Sequence, residues 1–324
     1  MKSGGRKPAS VDVLADDTEA GAGGGGEGLP KRVARLGVAR ARALDVLGYL
    51  DAEGHTEEAF KLRHCADYLL FRHYYTVDTV RLHAACFCKK HLLCPVCAIR
   101  RGSKMLSAYL ARYQAVAADR PLLVPYLVTL TIKNGDDLAE RLRHLRKAMR
   151  ALFQARRHYR QGLAPHTEFC RSEAGFHSIE VTNQGKGWHP HVHMVWLCSS
   201  PPDAEVLAAE WLRITGDSHI VDVRPISDPV TGFLEVCKYA VKFSGLALPD
   251  LWHAYRVLSR QRLIDSHGLF RGVVIPESLT DEPLDDLPFV ELLYRYLPAA
   301  GGYSFDARGW PDRYVHPQGE EVLQ

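Results

Sequence analysis

An α+β fold built on an antiparallel sheet is what the second half of this sequence predicts. Two stretches of strand-like residues, FHSIEVTN and GWHPHVHMVWLC, are separated only by a turn at NQGKG, as in a hairpin. A third, PYLVTLTIKN at 125–134, is rich in β-branched residues and precedes a long helical pattern. Helices inserted between hairpin-joined strands favour an antiparallel sheet with helices on one face.

The elements follow in order. Residues 1–30 include GAGGGGEG and few large apolar side chains, so they cannot bury enough surface to offset their ordering entropy and are expected to be a disordered tail. From 31 to 64, VARLGVARARALDVLGYL and EEAFKLRH predict one or two helices broken at Gly54, and 101–118 predicts another. Asp136 is expected to start the helix DDLAERLRHLRKAMRALFQARRHYR, which carries acids in its first turn and bases in its last, as the helix dipole favours. Its arginines form a solvated face or contact phosphate. Beyond the hairpin come a helix at 203–214, a strand at HIVDVRPI, helices from about 231 and through 250–265, and a strand at LFRGVVIP.

Composition sets outer bounds. The chain has 324 residues, 46% of them hydrophobic and 24% charged, with a formal net charge of +3. That balance suits a globular protein and hints weakly at an anionic partner. Spanning a bilayer takes roughly 20 consecutive apolar residues, and no run approaches that. Without an apolar signal core either, a cytoplasmic protein without a membrane partner is expected, and its eight cysteines then read as metal ligands or buried thiols rather than disulfides.

Three constellations carry chemistry. In GWHPHVHMVWL, His189, His191 and His193 alternate, so in a strand they share one face while Val192 and Met194 take the other. A turn near Gly185 would set Glu180 opposite His191, giving a two-histidine, one-carboxylate site with open positions for a divalent cation and a substrate oxygen. His189, beside Pro190, ranks as an extra ligand behind the other two. In GFLEVCKYAVKFSGL, Glu235 and Tyr239 are neighbours on one helical face, with Lys238 and Lys242 three or four residues away. Such a helix alone is an ion-paired surface; beside a cation-bound phosphate its tyrosine becomes a usable nucleophile and its carboxylate a proton acceptor. Finally, Cys94 and Cys97 in CPVC form a zinc knuckle. Cys65, Cys86 and Cys88 compete for the two remaining positions, with His83 and His91 as outsiders, and Arg100, Arg101 and Lys104 supply a basic rim.

Taken together, LVTLT at 127–131, HVH at 191–193, EVCKYAVK at 235–242, RLIDSHGLFRG at 262–272 and CPVCAIRR resemble the plasmid rolling-circle replication initiators of the HUH endonuclease superfamily, in their single-tyrosine branch. The resemblance is collinear from about residue 62 to 275. It implies a ferredoxin- or RRM-like nicking and joining domain over 121–275, preceded by a small helical zinc module over 31–120 and followed by an extension at 276–324 of no assigned role. It further implies Mg²⁺ or Mn²⁺ held by His191, His193 and Glu180, Tyr239 as nucleophile, Glu235 as base, and Lys238 and Lys242 neutralising charge. Zn²⁺ would sit on Cys65, Cys88, Cys94 and Cys97, with Cys86 as the alternative to Cys65. The partner would be single-stranded or hairpin origin DNA, with a host helicase and polymerase downstream. Rival expectations are a zinc-dependent DNA-binding regulator without catalysis, a transposase of the same superfamily, and a histidine-triad nucleotide phosphohydrolase. His189 departs from the family pattern, where asparagine is common.

Overall fold

The computed structural model describes residues 28–284 and 286–306; the expected tail up to residue 27 and the chain beyond 306 lie outside them. The polypeptide forms two compact units, one made of residues up to Arg101 together with those from Pro276, the other of Gly102–Ile275. The first unit opens with α1 (Leu29–Ala52), α2 (Thr56–Arg63), β1 (Tyr68–Tyr74), β2 (Thr79–Ala84) and the start of α3 (Pro95–Asp119). The second holds the rest of α3, β3 (Val124–Thr131), α4 (Leu138–Arg160), β4 (Ser172–Asn183), β5 (Trp188–Cys198), α5 (Ala204–Thr215) and β6 (Val221–Pro225). It continues through α6 (Pro229–Cys237), α7 (Tyr239–Lys242), α8 (Leu248–Leu258) and β7 (Ile264–Gly268), after which β8 (Val290–Leu297) and β9 (Gly302–Phe305) return to the first unit.

In the first unit, α1 buries Val33, Leu36, Ala39, Ala43, Val46 and Leu50, a stripe at three- and four-residue spacing. Arg40 lies in that stripe and remains buried because it donates to the carbonyls of Leu62 (3.1 Å) and Arg63 (2.6 Å), the last acceptors of α2. The strands order as β2-β1-β8-β9, so the extension that had no assigned role contributes half of a sheet. Asp281 fastens it: the carboxylate accepts from Arg32 and from the Leu82 amide, each at 2.7 Å, and pairs with Arg100. Burial alone would raise the Asp281 pKa, yet the two guanidinium groups hold it well below the usual carboxylate range.

The second unit is the layered α+β structure that the sequence predicts. Five antiparallel strands order as β6-β3-β5-β4-β7. The long α4 buries Leu142, Leu145, Met149 and Leu152. Its N-cap is Asp137, one residue later than the expected Asp136, and accepts from the Ala139 and Glu140 amides. The opposite face of the sheet carries an aromatic cluster in which Phe176 stacks on Tyr109 at 3.9 Å and meets Phe233 of α6 at 5.3 Å. Gly102 matters here: a Cβ would stand 3.0 Å from the Cys237 carbonyl, so a larger residue would push α3 away from the end of α6. The last strand differs from expectation. It occupies 264–268 rather than LFRGVVIP, since the positive φ of Gly268 and Gly272 turns the chain there, and α8 stops at Leu258.

Candidate metal centres and active site

The β4–β5 hairpin turns through Gly185 and Gly187, both at positive φ, and this fixes the register that pairs Glu180 with His191 and Ser178 with His193. Alternation then projects Glu180, His191 and His193 from one face. Their donor atoms all lie within 4.8 Å of one another, a group able to hold a metal ion. The imidazole Nε2 atoms of His191 and His193 face Glu180 Oε2 at 3.2 and 3.4 Å. His191 Nδ1 stands 3.2 Å from the His189 carbonyl, which can only accept, so Nδ1 donates there and the ring is held with Nε2 towards the carboxylate. His193 Nδ1 is 3.0 Å from the Thr129 hydroxyl. The Glu180 oxygens have no aligned hydrogen-bond donor, and a buried carboxylate between two imidazoles is a donor set that suits a positive charge.

One positive charge is already there. Lys242 Nζ lies 2.7 Å from Glu180 Oε2, 2.7 Å from Glu235 Oε1 and 3.5 Å from His193 Nε2. Lys238 pairs with the other Glu235 oxygen at 2.7 Å. Burial would raise the Glu180 pKa, but the two imidazoles and Lys242 hold it far below the usual carboxylate range. Glu235 is likewise lowered against its burial by Lys242 and Lys238. Lys242 would be lowered by burial, and its two carboxylates raise it instead. Glu180, Glu235 and Lys242 thus remain charged at neutral pH.

Tyr239 opens α7 and is 4% exposed. Lys242, the last residue of the same one-turn helix, brings that helix to the hairpin residues. Lys238 interrupts the helix just before Tyr239, separating α6 from α7. His189 is drawn aside: its Nδ1 lies 2.6 Å from Asn134 Oδ1, and it stays out of the metal-binding group. Thr129 is the residue that sequence reasoning missed. It pairs with His193 across β3–β5, and the alternating threonines of LVTLT become informative only once that register is known.

In the first unit, Cys65, Cys88, Cys94 and Cys97 form the second metal-binding group. Their sulfurs approach at 3.5 Å (Cys65–Cys94), 3.6 Å (Cys65–Cys97) and 3.5 Å (Cys88–Cys97). A disulfide would be about 2.05 Å long, whereas a tetrahedron with arms of about 2.3 Å has edges of about 3.8 Å, so the spacing fits four thiolates around one ion. Hydrogen bonds from Cys65, Cys88 and Cys97 hold the Cys94 thiol well below its ordinary range, while burial pushes Cys97 up. Cys86 stands apart, packed against the apolar cluster of Tyr68, Leu70 and Leu293. His83 and His91 are outside the group as well.

Residues 79–292 match the family model described as replication protein, and the chain belongs to that family. It is similar to curated proteins named "Protein rep" from a Bacillus species, with 28% identity over 55% of this chain and 56% of the relative. Another is from Streptococcus pneumoniae serotype 2, with 27% identity over 60% and 64%. A third is from Lactiplantibacillus plantarum, with 26% identity over 52% of each. The aligned part is therefore less than two thirds of the length of these relatives. No solved structure matches the chain. Among the described residues no helix is long and apolar enough to cross a membrane.

Proposed function

We propose that the second unit nicks and rejoins DNA through a covalent tyrosine link, as an initiator of plasmid rolling-circle replication. The observation carrying this reading is the reach of Lys242 from the tyrosine helix into the Glu180–His191–His193 cluster, at 2.7 Å from Glu180. Bound there by His191, His193 and Glu180, a Mg²⁺ or Mn²⁺ ion would polarise a phosphodiester oxygen. Tyr239 Oη attacks phosphorus, the bond to the 3′ oxygen breaks, and that oxygen takes up a proton. The products are a 3′-hydroxyl end and a 5′-phosphotyrosine. One phosphodiester replaces another, so the step is close to energetically neutral and can run backwards to rejoin strands. Lys242 and Lys238 offset negative charge at the phenolate and phosphate.

Glu235 stays ionised and is the residue suited to accept a proton from the attacking phenol, or later from a water that cleaves the phosphotyrosine. The cysteine group would hold a structural Zn²⁺. Such a protein would act in the cytoplasm on single-stranded or hairpin origin DNA, leaving the 3′-hydroxyl for a polymerase and the unwinding to a helicase. The test is incubation with labelled single-stranded origin DNA and Mn²⁺, followed by mass spectrometry of the DNA-linked peptide. A link at Tyr239, lost in Tyr239→Phe and in EDTA, is expected. A metal-dependent link at another residue, or nicking retained in Tyr239→Phe, would overturn the assignment.

A further inference from the structure

Alternation along β4 places His177 and Ile179 on the face opposite Glu180. On that back face, α4 and the edge strand β7 enclose a groove of about 1070 Å³. Arg146, Arg150, Arg157 and Arg160 line it at spacings of four, seven and three residues, one stripe of α4, while Arg262 and Arg271 line it beside β7. Arg156 reaches into the same groove from a buried position. Among the described residues only two carboxylates, Glu173 and Asp265, share the lining, and both already have cationic neighbours: Arg120 at 3.2 Å and Arg262 at 3.5 Å.

The cluster works against its own folding. Burial, with Arg160 and Arg271 adding to it, lowers the Arg156 pKa to about 10. Burial and then Arg150 lower Arg146. Beneath them His177, 8% exposed, points into the groove with Nδ1 buried and without a hydrogen-bond partner. The Nε atoms of Arg146 and Arg156 are buried without partners too. Like charges crowded over an unsatisfied polar floor are stabilised by an anion. At 1.5 Å per residue the stripe from Arg146 to Arg160 is about 21 Å long, too long for one phosphate and suited to a run of several.

We propose that this groove is a second DNA site, which holds the phosphate backbone of a segment away from the scissile bond. It rests on the proposed function only for the identity of the polyanion. Duplex and single strand share the phosphodiester chemistry, and the experiment separates them. The full chain carrying R150A/R157A/R160A keeps a helix-compatible residue at each exposed position. Its binding to a long duplex and to a long single strand is measured against salt concentration, and its Tyr239 adduct on a short oligonucleotide confined to the scissile site is measured alongside. If three phosphate contacts are lost, the slope of log K against log salt should fall by about 2–3 on duplex or about 2 on single strand. Affinity should drop at least tenfold on the polymer that occupies the groove. The triple lysine variant should restore both, and the short-oligonucleotide adduct should be unchanged. Unaltered affinity and slope on both polymers would overturn the groove site. Absence of any adduct in the unmodified protein, with the slope change intact, would instead sink the nicking assignment and leave the groove standing.

Discussion

The two side-chain clusters of this chain that could hold a metal ion are built on opposite principles. The cysteine cluster uses four like donors, three of them fully buried, gathered from Cys65 to Cys97 across β1, β2 and a loop. Four thiolates complete a tetrahedron and leave no open position, so an ion there can only hold the chain together. The hairpin cluster uses mixed donors from two adjacent strands that the sheet already fixes in register. The Lys242 ammonium already supplies charge to Glu180, so this cluster is expected to fold without an ion. A site that is complete without its ion, yet has donors to spare, is suited to exchange ligands. On the proposed function the first cluster would serve stability and the second chemistry, and each can be broken separately.

Cys94→Ser should have the largest effect. It removes one of four thiolates, and structural zinc sites contribute apparent binding energies of about 10–16 kcal/mol in small zinc domains. The expected outcome is loss of the bound ion together with cooperative folding of the first unit, read by elemental analysis and by protease sensitivity of α1–β2. Retention of one equivalent of ion with a normal melting transition would erase the contrast. Glu180→Gln should leave the fold in place while lowering metal-dependent nicking by roughly a thousandfold, the scale of several kcal/mol of charge stabilisation. Circular dichroism and single-turnover nicking distinguish the two. Equal losses of folding and of nicking would show that this cluster, too, is structural.

Acid sharpens the comparison further. Protons compete with a metal ion for thiolates, so the first unit should weaken as its ion leaves. The second unit contains a metal-independent lever. Burial pushes His177 down to about 4, while in the unfolded chain it would titrate near 6.5. A histidine kept neutral by folding costs nothing above pH 6.5, and the unfolded state gains protons as pH falls from 6.5 towards 4. Stability should decline across that window by about 3 kcal/mol at most. Glu180 acts later and in the same direction: its depressed pKa contributes stability that is complete above about pH 4.3 and lost below. Urea denaturation of His177→Leu at pH 7 and pH 5 should show the first slope flattened; an unchanged slope would remove His177 from the account.

Much of the second unit was legible because it depends on local pattern. Alternation in HPHVHMVWL, the hairpin glycines and the acid-to-base polarity of α4 are short-range signals. The first sheet was not legible. Its β1 pairs with β8 across more than two hundred residues, for example Tyr68 with Arg295, and no local rhythm announces a partner so distant. The same limit hid Thr129, whose meaning depends on the β3–β5 register, and Arg156, whose burial on the back face turns an ordinary helical arginine into part of a groove. Residue types named the chemistry, whereas pairing over long distances decided which residues meet.

The smallest expected effect tests the choice that sequence left open. Cys65 was the expected fourth sulfur and Cys86 its alternative. Cys65 is 1% exposed, with its sulfur 3.5 Å from that of Cys94, and it accepts from the Cys88 amide at 3.4 Å. Cys86 instead lies against Tyr68, Leu70 and Leu293, where a thiol behaves as a small apolar group. Cys86→Ser exchanges that thiol for a hydroxyl beside apolar neighbours and should cost about 1 kcal/mol, with the ion retained at one equivalent. Cys65→Ser should lose the ion, as Cys94→Ser does. Elemental analysis of the two serine variants side by side decides it: an ion lost from the Cys86 variant and kept by the Cys65 variant would exchange their places in the cluster and dissolve the mostly buried tetrahedron on which the contrast with the hairpin site depends.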